Sequence, residues 1–149
     1  MKKAILSLLL AVFGLISFGQ TVLNPNIAIK PLATLSITQV VTTDSATRVT
    51  IRIVNAKNMA PFTLRTRDLF IRRVGEPDDL KLIGSEKAPF APEKHVFTTP
   101  KESFEFTLIF QPLPKGSKYF DLMEKMPTRE FYVQGIILDA KLNALVNKG

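Results

Sequence analysis

Apolar and polar residues alternate along much of this chain with a period of two, the repeat of a half-buried strand. Over 34–42, Leu35, Ile37 and Val41 fall on one face and Thr34, Ser36 and Thr38 on the other, with Gln39 the one polar residue on the inner side. Over 48–54 the alternation is clean, with Val49, Ile51 and Ile53 set against Arg48, Thr50 and Arg52. Between them stands Thr43-Asp44-Ser45-Ala46-Thr47. Asp and Ser bond their own backbone in turns, so the two runs predict an antiparallel hairpin. Residues 67–74 and 80–85 predict two further strands joined by Gly75-Glu76-Pro77-Asp78-Asp79. The strongest pattern lies over 103–111, where Phe104, Phe106, Leu108 and Phe110 oppose Glu105, Thr107 and Gln111. Pro112-Leu113-Pro114 stops it, because proline has no N–H for the ladder. Residues 130–138 are apolar on both faces and predict a central strand.

The remaining segments read as connections. Residues 20–33 form an extended lead-in with a short edge strand at 27–30. Residues 55–66 carry a turn and Pro61, which interrupts any ladder. Pro89, Pro92 and Pro100 mark a long connection over 88–101, which covers a sheet edge or crosses between sheets. Residues 116–125 read as a crossover with one helical turn at 120–124. In the tail, 139–149, Leu142, Leu145 and Val146 fall at helical spacing over a stretch short enough to be marginal. Six or seven short strands with almost no helix predict an all-β, two-sheet antiparallel sandwich over 34–138.

The first residues concern location. Lys2 and Lys3 precede an apolar run over 4–16 broken only by Ser7 and Gly14, and Ser17-Phe18-Gly19 puts small residues at the positions a signal peptidase inspects. Residues 1–19 therefore read as a cleavable signal peptide and the working protein as exported, beginning near Gln20. A spanning helix needs about 20 mostly apolar residues. This run is shorter, and no second run of spanning length follows, so no transmembrane segment is expected in the mature chain. Losing Lys2 and Lys3 lowers the formal net charge from +7 to +5. That mild excess favours anionic partners, and export disfavours nucleic acid. There is no cysteine. Disulfides, thiolate metal sites, thiol nucleophiles and a lipid on cysteine are excluded, and apolar burial must stabilise the fold. The expected location is periplasmic or extracellular, without a lipid anchor.

Candidate chemistry is sparse. His95 is the only histidine and falls in the proline-rich connection, where an exposed loop histidine is expected rather than a triad or metal ligand. Glu102 with Glu105, and Asp78 with Asp79, are carboxylate pairs of the kind hydrolysis uses. The odd spacing of the first pair puts its members on opposite strand faces, and turn chemistry accounts for the second. Asp121 and Glu124 complete the carboxylates a hydrolase could draw on. Glu76, Asp78 and Asp79 fall short of the 6–8 oxygens of a calcium shell, and no metal or cofactor is expected. Arg65, Arg67, Arg72 and Arg73 cluster around Phe70, a solvated face or a contact surface for an anionic glycan or lipid. Pro112, Leu113 and Pro114 are a second candidate contact surface. With no Trp and only Tyr119 and Tyr132, sugar stacking is poorly provided for, and the eleven Phe suit a core.

Two stretches resemble known patterns. Phe104-Glu105-Phe106-Thr107-Leu108-Ile109-Phe110-Gln111-Pro112-Leu113-Pro114, then Phe120-Asp121-Leu122-Met123-Glu124, then Phe131-Tyr132-Val133-Gln134-Gly135-Ile136, resemble a small immunoglobulin-like module of secreted Bacteroidetes envelope proteins. That module often precedes thioredoxin-like domains. The hairpin over 43–49 is similar to the module's early hairpin. The resemblance covers most of 34–138 and implies an immunoglobulin-like sandwich and an envelope location, with no activity and no functional residues to carry over. Asp44-Ser45-Ala46 resembles the O-glycosylation acceptor of exported proteins of that group, which implies a glycan on Ser45. The intact mass of native protein beside a Ser45→Ala variant checks this. The expected function is a non-catalytic module acting by protein–protein or envelope-surface contact. The alternatives are a small carboxylate-dependent hydrolase and a secretion-associated sorting domain.

Overall fold

The computed structural model describes residues 19–125 and 131–149. The expected signal peptide, apart from Gly19, lies outside the described residues, as does Glu130. Among the described residues the chain forms nine strands and one helix: β1 (Gln20–Leu23), β2 (Ile27–Ile29), β3 (Leu35–Thr42), β4 (Thr47–Val54), β5 (Leu69–Arg73), β6 (Asp79–Glu86), β7 (Ser103–Phe110), β8 (Tyr119–Glu124), β9 (Tyr132–Ile137) and α1 (Ala140–Lys148).

Every pairing is antiparallel, in the order β1-β3-β4-β7-β6-β5-β8-β9-β2. The all-β expectation holds. The immunoglobulin-like sandwich of two separate sheets does not, because one continuous sheet replaces it. β6 is the joint. Its start, Asp79 to Lys81, pairs with β5, and its end, Leu82 to Glu86, pairs with β7, with a register shift between Leu82 and Gly84. A bulge of this kind bends a strand and raises its twist, which lets one strand serve two halves.

The connection between β1 and β2 fixes how far the sheet curls. These strands occupy its opposite edges, yet only Asn24, Pro25 and Asn26 separate them. Nine flat strands would hold the edges about 38 Å apart at ~4.8 Å per pair. Four Cα steps span at most about 15 Å. The sheet therefore wraps around its own apolar face. That interior holds Leu35, Ile37, Val40, Ile51, Ile53, Ile71, Leu108, Phe110, Phe120, Leu122 and Ile136, all at most 1% exposed.

Several expectations change in detail. The inner face of β3 runs Leu35, Ile37, Val40 rather than ending at Val41, because a bulge between Ile37 and Gln39 advances the phase by one. Residues 120–124 form strand β8, not a helical turn, since β5 and β9 pair with it on either side. The lead-in supplies both edge strands. The tail forms α1, capped by Asp139, whose Oδ1 accepts the Leu142 N–H at 3.0 Å. Among the described residues no helix is long and apolar enough to cross a membrane.

Candidate functional site

The long connection over 88–101 is stitched down rather than loose. Phe62 and His95 exchange backbone hydrogen bonds of 2.9 and 2.8 Å, while Leu64 donates to Pro89 O at 2.9 Å and accepts from Ala91 N at 2.8 Å. Buried Asn55 ties the other end, donating its N–H to Glu102 O at 2.7 Å and its Nδ2 to Thr99 O at 2.8 Å. Thr63 Oγ1 donates to Glu93 O at 2.6 Å and fixes that corner. Two segments without regular structure thereby become one platform.

His95 stands in this platform. Its ring stacks on Phe104 at 4.0 Å between centroids and meets the Phe97 ring edge-on at 4.8 Å. Its Nε2 lies 2.7 Å from Glu102 Oε2, with the side chain 25% exposed. It is thus a packed histidine, not the exposed loop residue expected. Glu102 also accepts from Thr98 N at 3.0 Å and Thr98 Oγ1 at 2.9 Å. The Thr98 backbone bond, then the His95 bond, then the Thr98 hydroxyl hold its carboxyl down from 4.5 to about 2. At neutral pH Glu102 is therefore an acceptor only, so His95 Nε2 carries the proton between them.

Beside His95 opens a cleft of about 490 Å³, lined by Arg67, Lys87, Phe90, Glu93, Lys94 and Phe104 among others. The Arg67 guanidinium lies over the Phe90 ring, 4.3 Å from its centroid. Lys87 holds φ +59°, the left-handed region that side chains with a Cβ rarely enter. Three arginines elsewhere on the surface are engaged in ion pairs. Arg48, Arg52 and Arg72 pair with Glu86, Glu105 and Asp79. Among the described residues Arg67, Lys87 and Lys94 have no carboxylate partner.

The structure disperses the other candidates. Arg67 covers Phe90, and Arg72 lies over Phe70 at 5.3 Å from the ring centroid. Arg72 and Arg73 are neighbours on β5 and project from opposite faces; Arg65 is exposed in the preceding segment. Pro112 is half-buried and Pro114 exposed. Leu113 is a core residue at 6% exposure whose N–H donates to buried Thr47 Oγ1 at 2.9 Å. Ser45 is exposed in its turn, with its N–H bonded to Thr43 Oγ1 at 3.3 Å. Asp44, Leu113 and Pro114 share a second recess of about 340 Å³.

Several of the candidate carboxylates have structural partners. Glu105 pairs with Arg52 at 2.8 Å, and Asp121 Oδ1 accepts the Gly135 N–H at 2.8 Å. Glu124 is buried at 2% exposure, and Asp79 pairs with Arg72 at 2.6 Å. Among the described residues no group of three or more His, Asp or Glu converges as a metal site, so Glu76, Asp78 and Asp79 do not form one. Sequence reasoning missed Lys87, Phe90, Glu93 and Lys94. Their only signal was lysines flanking a proline-rich segment. No protein-family model, curated protein or solved structure matches this chain.

Proposed function

We propose that the protein is an exported, non-catalytic all-β module that acts by surface contact, with the cleft beside His95 as its contact site. The observation that carries this reading is the gathering of three cations, without carboxylate partners among the described residues, in a cleft beside a platform fixed by backbone bonds. Fixed loops on a rigid sheet are where binding residues concentrate. The cations favour an anionic glycan or lipid, or an acidic face of an envelope protein. Export rests on the sequence of residues 1–19 and on the likeness of 104–136 to secreted envelope modules. Of the carboxylates a hydrolase could draw on, Glu105 pairs with Arg52, Glu102 with His95, and Asp121 accepts the Gly135 N–H.

The test uses protein beginning at Gln20, with anionic and neutral surfaces compared. Retention on phosphatidylglycerol vesicles or on a uronate polymer, released by about 0.5 M salt, is expected from screening over a few ångströms. Equal retention on neutral phosphatidylcholine vesicles and a neutral glucan would overturn the reading.

A further inference from the structure

Deepening that reading, on which it rests, we propose that the cleft beside His95 is a receptor for a phosphate-monoester group carried by an envelope glycan or lipid headgroup. The argument begins with the mixture of charges. Arg67, Lys87 and Lys94 line the cleft together with one carboxylate, Glu93. A site built only to hold negative charge would gain nothing from Glu93, which repels any ligand that is purely an acceptor. A sulfate ester is such a ligand, fully ionised and unable to donate. A phosphate diester also has no proton to give. A phosphate monoester differs, because its second pKa lies at about 6. It can keep a P–OH that donates to Glu93 while its other oxygens accept from the cations.

The cations suit this group in shape as well as sign. The Arg67 guanidinium carbon stands 4.3 Å from the centroid of the Phe90 ring. Its N–H donors have no carboxylate partner among the described residues. Such a fork binds two phosphate oxygens side by side. Lys87 and Lys94 act as point charges, and the left-handed backbone at Lys87 fixes where the first of them departs. His95, locked by Glu102 and stacked on Phe104, supplies a wall that does not collapse when the cleft is empty. Glu93 is held at its backbone by Thr63.

Calorimetric titration of the protein from Gln20 tests the assignment at low salt and about pH 5.5, below that second pKa, where the monoester keeps its P–OH. The probes are mannose 6-phosphate, mannose 6-sulfate, glucuronate, and vesicles containing phosphatidic acid (a monoester) or phosphatidylglycerol (a diester). Monoester probes should bind about tenfold tighter than sulfate, uronate or diester probes, the factor expected of one charge-assisted hydrogen bond. The pair Lys87→Gln with Lys94→Gln should lose at least that factor. Arg67→Lys, which keeps the charge but not the fork, should weaken binding severalfold. Glu93→Gln should narrow the preference for phosphate over sulfate, and Arg52→Gln, outside the cleft, should change nothing. Preference for mannose 6-phosphate assigns a glycan source, and preference for phosphatidic acid a lipid source; either supports the site. Equal affinity for sulfate and phosphate, tighter uronate binding, or a preference unchanged by Glu93→Gln would overturn it. Such a failure, with retention on anionic surfaces intact, would leave the broader contact reading standing.

Discussion

Glu102 takes three hydrogen bonds on one carboxylate, two from Thr98 and one from His95. Such a group prefers to stay ionised in the folded chain, and its pKa falls from 4.5 to about 2. The consequence for stability has a definite sign. Above 4.5 both states are ionised and the contribution is fully present. As pH falls from 4.5 toward 2 the unfolded chain takes the proton first, and the contribution is lost. Wild-type protein should melt higher than Glu102→Gln at pH 6, and the two curves should converge as pH approaches 2. A gap of constant size from pH 6 to pH 2.5 would refute the assignment. His95 was visible in the sequence as the only histidine, yet its environment was not. Phe104 and Phe97 lie 9 and 2 residues away, and only the folding-back of 88–101 places both rings against it.

At the level of the strands, bulges decide which faces are buried. In β8 and β9 the register shifts between Phe120 and Leu122, and Asp121 turns its carboxylate to the Gly135 N–H. Gly135 has φ +68°, and a Cβ there would stand 2.7 Å from Ala28 Cβ on β2. The glycine thus meets two demands, a left-handed backbone and close approach of the edge strand. Gly135→Ala should cost at least about 2 kcal/mol, with about 1–2 from backbone strain and the rest from displacing Ala28. Urea denaturation measures it, and a loss below 0.5 kcal/mol (about a twofold change in the folding constant) would argue against this geometry. Bulges also mark where pattern reading stops. The clean alternation of Val49, Ile51 and Ile53 carried through to buried positions. In β3 the sequence offered both Val40 and Val41, and only pairing with β4 chose Val40. In β8, Leu122, Met123 and Glu124 are all buried, which erases any period of two and invites a helical reading. Of the cleft, Arg67 and His95 were named from sequence, but their convergence with Lys87 and Lys94 depends on the Leu64–Phe90 bridge, a contact between segments without periodicity.

Across the whole molecule, the curl of the sheet rests on how its two edges are held. β1 and β2 are short and border the sheet on opposite sides, so neither is flanked by a second partner. Short edge strands open at lower free energy than central ones unless something ties them. The tie is the junction between them. Asn26 donates its backbone N–H to Asn143 Oδ1 at 3.0 Å and its side-chain amide to Asn143 Oδ1 and Asn147 Oδ1 at 3.0 and 3.1 Å. Asn143 Nδ2 in turn donates to Ile137 O at 2.9 Å, at the end of β9. Helix α1 buries none of its residues, so its worth to the fold lies mainly in this amide cluster rather than in apolar packing. Asn143→Ala should therefore lower global stability by only about 1–2 kcal/mol, the cost of leaving part-buried donors without partners. Exchange of the Ile137 N–H, which bonds to Asn26 O at 3.0 Å, should quicken about tenfold, the factor that corresponds to that free energy. Exchange in β4 and β7, at the centre of the sheet, should be slower than at Ile137 before and after the substitution. Equal protection at Ile137 and in β4 and β7 would mean that the edges open only with the whole sheet. Unchanged exchange at Ile137 would mean that pairing with β9 alone holds the edge, and that the Asn26–Asn143 contact does not set the curl.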